Sequence, residues 1–216
     1  MSQIGYLIPL VSIIVGLGLA DLIQSFRELV RPNRRVRWHW LPVLWAAIVF
    51  LFVLQIWWTS FGVLQQEAFG HVLVFLPYLL MFMGLYLACS FALPDPDWTP
   101  DPSGAPQSDG ADSTRASSGP LDLEIFYYST THRRWFFGTL IAILVLFETI
   151  TILFLLIEED AALLEILAGR WEALSIAPAV LAIPIITDRW WAHGVLGVLA
   201  FGGAVLSLIE ASPIGG

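Results

Sequence analysis

The sequence predicts an all-α polytopic membrane protein: six transmembrane helices, a disordered cytoplasmic linker and short interfacial helices. Three observations lead there. Of the 216 residues, 57% are hydrophobic and only 13% charged, where soluble domains carry roughly 25% charge, and the mean hydropathy is +0.77. The charge is segregated between apolar runs of about twenty residues, the length that crosses a hydrocarbon core. Finally, every basic residue is Arg, and the arginines sort by side. The stretch Arg27 to His39, RELVRPNRRVRWH, lies between two apolar runs and is the densest basic patch. Basic residues flanking spans stay on the cytoplasmic face. With this loop inside, Arg27, Arg31, Arg34, Arg35, Arg37, Arg115, Arg133, Arg134 and Arg189 all fall on cytoplasmic segments, and only Arg170 falls outside. Both termini then face the periplasm or its equivalent, and the host is a cell inner (plasma) membrane.

The elements follow in chain order. Residues 4–23 form span 1, read as a retained helix because no basic n-region precedes it. Ser12, Gly16 and Ala20 recur every four residues, a small-residue ridge that suits close helix packing. Span 2 covers 40–59, with Trp38 and Trp40 at one end and Trp57 and Trp58 at the other, as aromatic belts require. Span 3 covers 72–93, with Pro77 expected to kink or loosen its outer third. Residues 94–120 are dense in Pro, Asp, Ser and Gly, too polar to offset their ordering entropy, and are expected to be disordered. Residues 121–134 are expected to form an interfacial amphipathic helix with Leu121, Ile125 and Tyr128 on its apolar face. Span 4 covers 135–157. An acidic outer half-helix, EEDAALLEILAGRWEA, follows it and precedes a short span 5 over 174–187, which is interrupted by Pro178 and Pro184. Span 6 covers 192–209 and is rich in small residues (Gly194, Gly197, Gly202, Gly203, Ala204). The expected organisation is therefore two three-helix halves, 1–93 and 135–216, joined by the linker and the interfacial helix.

Composition narrows the chemistry. The formal charge of -8 comes mostly from one linker and one loop. No basic stripe with interleaved aromatics exists, which argues against a nucleic-acid partner. The single cysteine, Cys89, excludes an internal disulfide or cysteine cluster and reads as a small buried residue. No nucleophile elbow, P-loop or dinucleotide fingerprint is present, and nothing points to a particular cofactor.

Two groups of residues remain as candidates. Glu148, in LVLFETITILF, is expected near mid-membrane, where an ionised carboxylate costs about 2.5 to 3.5 kcal/mol on insertion scales. With every Arg assigned to a loop or interface, it is expected to lack a countercharge, and so to be protonated, solvated or cation-binding. Gln55 and Thr149 are its expected hydrogen-bonding neighbours, and Asp21 is a further acid where span 1 enters the Arg-rich loop. The second group is His39, His132, Asp188, Arg189 and His193, all at cytoplasmic span ends, but without the spacing of a helical metal site. The leading reading is an ion or small-solute transporter or channel with Glu148 as its proton or cation site. The alternative is a non-catalytic accessory or scaffold subunit, packing on a partner or a second copy through the small-residue faces of the first and last helices. A lipid-modifying enzyme built on the His/Asp cluster ranks third.

Overall fold

The computed structural model describes residues 4–32, 35–66, 69, 71–95, 98, 121–158 and 163–210. Its elements are α1 (Ile4–Val30), β1 (Val36–Arg37), α2 (Trp40–Val63), α3 (Val72–Ala92), β2 (Leu121–Asp122), α4 (Leu123–Tyr128), α5 (Thr130–Glu158), α6 (Leu163–Ile186) and α7 (Trp190–Glu210). All but α4 among the helices are long and apolar enough to cross a membrane. In lipid every backbone amide must bond within its own segment, and a continuous helix does this. The chain is an all-α, multi-pass membrane protein. Most of the expected linker lies outside the described residues.

Local chemistry sets the helix ends. The Asp122 carboxylate caps α4, accepting from the backbone N–H groups of Glu124 at 2.9 Å and Ile125 at 3.2 Å. Ser129 Oγ accepts from His132 N at 3.3 Å and so opens α5 five residues before the expected start. Asp21, expected where span 1 enters the Arg-rich loop, lies inside α1, whose last turn is braced by Glu28 bridging Arg27 at 3.2 Å and Arg31 at 3.0 Å. The expected outer half-helix and broken span 5 are one helix, α6, with Pro178 and Pro184 inside it. Residues 163–173 are mostly good helix formers, and membrane helices tolerate proline where neighbouring groups satisfy the freed carbonyls. In α4 the buried face is Leu123, Phe126 and Tyr127, whereas Ile125 points outward. The expected face, which paired Ile125 with Tyr128, is thus rotated, because α4 packs on α2 and α5.

α3 is the hub. It packs against α5 and α1 most extensively and also against α2, while α5 carries α6 and α2 carries α7. One core runs through residues from both sides of the linker. α1 meets it with Val11, Val15, Leu22, Ser25 and Leu29. Gly18, not the expected Gly16, makes the close approach: a Cβ there would lie 3.2 Å from Tyr86 Cα on α3, whereas at Gly16 nothing lies within 4 Å. On α7, Gly194 and Gly197 do lie against α2, at Trp40 and Leu44.

A two-residue parallel bridge pairs Val36 with Leu121 and Arg37 with Asp122, backed by an Arg37–Asp122 ion pair at 3.2 Å. The loop after α1 and the segment before α4 therefore meet at one end of the bundle. That end, which also holds the α6–α7 turn, is the arginine-rich end.

Candidate functional site

Glu148 is not solitary. Its carboxylate is buried on α5, and Oε2 accepts from Arg170 Nε of α6 at 2.7 Å. This corrects the expectation of an acid without countercharge. Polarity alone places Arg170 in an outer loop, but α6 begins at Leu163, which puts Arg170 about 10 Å inside the helix at 1.5 Å per residue. Glu148 lies about 15 Å from the far end of α5 by the same measure, so an antiparallel hairpin brings the two to similar depth. Arg170 keeps 30% of its side chain exposed, against 5% for Glu148. The expected neighbours turn elsewhere. Thr149 Oγ1 donates to Val145 O of its own helix at 2.7 Å, and Gln55 Nε2 donates to Ser207 Oγ of α7. Asp21, on α1, is half-buried and within electrostatic reach of Cys89 on α3.

The arginine-rich end holds the densest polar network. Arg133, buried on the first turn of α5, donates through Nη1 to the carbonyls of Pro184, in the last turn of α6, at 3.3 Å and of Thr187, just after it, at 2.8 Å. It also pairs with Asp188. A cation on the last carbonyls of a helix is favoured by the helix dipole as well as by the hydrogen bonds. The fully buried His193 touches the same turn: Nε2 lies 2.8 Å from Thr187 O and Nδ1 2.9 Å from the Tyr127 hydroxyl. A carbonyl can only accept, so Nε2 carries the proton and Nδ1 accepts from the tyrosine. Burial raises the pKa of the Tyr127 and Tyr128 hydroxyls, which keeps both protonated and leaves Tyr127 an O–H to donate to His193.

The rings around this network form a chain. His39 meets Tyr128 at 6.2 Å between centroids, Tyr128 meets His193 at 5.4 Å, and Tyr127 meets His132 at 5.9 Å. Three of the expected cluster residues, His39, His132 and His193, are thus brought together, but with tyrosines between them. Asp188 joins through Arg133, while the Arg189 side chain is exposed and outside the network. Among the described residues no group of three or more His, Cys, Asp or Glu is placed to hold a metal ion. The arrangement clamps α4, α5, α6 and α7 together at one end. Sequence reading missed Tyr127, Arg133 and Thr187 as its members. The available signal was the run YYSTTHRR at the head of an apolar span.

Between these two features, α2, α5, α6 and α7 leave a cavity of about 340 Å³, lined mainly by apolar side chains, with Gln55 and Ser207 at its polar edge. The chain matches no protein-family model, no curated protein and no solved structure.

Proposed function

We propose that the protein is a non-catalytic membrane module: an accessory subunit of the plasma membrane that works by packing against another membrane protein. Its arginine-rich end would face the cytoplasm and both termini the outside. The observation that supports this is α6. Its most apolar eighteen-residue stretch has a mean hydropathy of 1.5, the lowest such value among the six long helices, and the buried share of that stretch, 6%, is also the smallest. A helix facing only lipid should be the most apolar, not the least. α6 instead exposes Glu172 about 14 Å along its length, and it packs chiefly on α5, with little contact to α7. A protein partner would cover this face and offer polar groups to it.

Site-specific photo-crosslinking tests the reading. A crosslinker at Ile176, exposed on α6, should yield one discrete adduct with another membrane protein. The same group at Leu80, exposed on α3, should yield lipid adducts. Lipid adducts alone at Ile176, together with solute flux from the purified chain in liposomes, would refute the subunit reading. The transporter reading has less support now that Arg170 neutralises Glu148.

A further inference from the structure

The cavity bordered by α2, α5, α6 and α7 is long and narrow. On α2 its wall runs from Trp45 to Gln55, about 15 Å along the helix. On α7 the lining residues Ala200, Gly203, Ala204 and Ser207 recur at i, i+3, i+4 and i+7, which places them on one helix face. That face is mostly Gly and Ala and leaves space: a Cβ on Gly203 would meet nothing within 4 Å. A volume of about 340 Å³ spread over the 15 Å averages roughly 5 Å across. We propose that this cavity is a binding site for one hydrocarbon chain of a membrane phospholipid.

Width, depth and chemistry select that occupant. A helix with its side chains is about 10–12 Å in diameter and is too wide. Carbon atoms in contact lie about 3.5–4.0 Å apart, so one extended hydrocarbon chain fits. Trp57 and Trp58 follow Gln55 closely on α2, so Gln55 lies just inside the headgroup level that such residues mark. The cavity therefore begins where a lipid's ester groups sit and runs toward the arginine-rich end, stopping at Trp45, about 8 Å from the start of α2. Its polar groups stand at that entrance. Gln55 Nε2 donates to Ser207 Oγ, and a serine that accepts one bond keeps its own O–H to donate, which suits an ester carbonyl. The rest of the lining is apolar, and an apolar void holds no water, so the chains of the surrounding bilayer are its natural filling. Contact between α6 and α7 is sparse, which leaves a side entry from the lipid.

The test uses the full-length protein in mild detergent, with Gly203→Leu and Ala204→Leu to fill the cavity and Gly202→Leu as the control. Gly202 also faces open space but does not line the cavity. Native mass spectrometry should count one phospholipid retained per wild-type chain, phosphatidylethanolamine as readily as phosphatidylglycerol, because the chain and not the headgroup is held. Either filling variant should lower that retention at least fivefold, and the control should leave it unchanged. A phosphatidylcholine carrying a diazirine midway along one chain needs no variant: irradiated with the wild type, it should label the cavity residues of α2 and α7. The proposal is overturned if the folded wild type retains no phospholipid, if the label falls only on other faces, or if both filling variants retain lipid as the wild type does. A photoreactive residue at position 204 that crosslinks to another polypeptide would assign the space to a partner and overturn it equally.

Discussion

An ionised acid alone at mid-bilayer depth is costly, and at position 148 the cost is met by a guanidinium 2.7 Å away. Breaking a fully buried pair costs about 3–5 kcal/mol, and breaking an exposed one about 0–1 kcal/mol. Arg170 keeps partial exposure, so Glu148→Gln or Arg170→Gln alone should lower stability by roughly 1–3 kcal/mol. Replacing both residues with Met should recover most of that loss, since it leaves no charge stranded. Thermal unfolding of the two single variants and the double variant in detergent measures the coupling. Single variants as stable as the wild type would show that the pair contributes nothing. The pair was only half legible in sequence: the acid was visible in its apolar run, but its partner carries no local signal and depends on where α6 starts.

At the scale of elements, one glycine decides how closely α1 approaches α3. A side chain at Gly18 meets the backbone of Tyr86, which cannot swing aside as a flexible side-chain tip can. Gly18→Val should therefore destabilise the protein by about 1–3 kcal/mol, the usual range for overpacking. Gly16→Val, facing open space, should change the melting temperature little; equal effects from the two would mean that α1 does not pack as described. The four-residue repeat Ser12, Gly16, Ala20 is visible in sequence, and Ser12 of it accepts from Trp57 Nε1 of α2 at 3.1 Å, but the approach to α3 is made at Gly18, off that repeat. The packed face follows the buried apolar residues Val11, Val15 and Leu22, because the direction of a helix face is set by its neighbours. The merging of the expected half-helix and broken span into α6 has a related cause. Proline and surface polarity are read locally, whereas a hairpin with α5 holds the whole length in register.

For the molecule as a whole, the clamp of Arg133, His193 and Tyr127 and the Arg37–Asp122 bridge tie segments from both sides of the linker at the arginine-rich end. The arginine sorting predicts that this end is cytoplasmic. Cysteines introduced at residue 35 and, separately, at residue 65, both exposed, should be labelled from opposite sides of sealed vesicles. Position 35 should react only from the cytoplasmic side, and the reverse pattern would invert the topology. Length and hydropathy alone determined the number of long apolar helices, because the bilayer imposes a fixed thickness and demands internal hydrogen bonding. Only the tertiary structure decided that Arg170 faces Glu148, that Gly18 rather than Gly16 meets α3, and that histidines from three segments share a tyrosine cluster. Each of these depends on the rotation and depth of one helix against another, which packing across the bundle sets and hydropathy does not record.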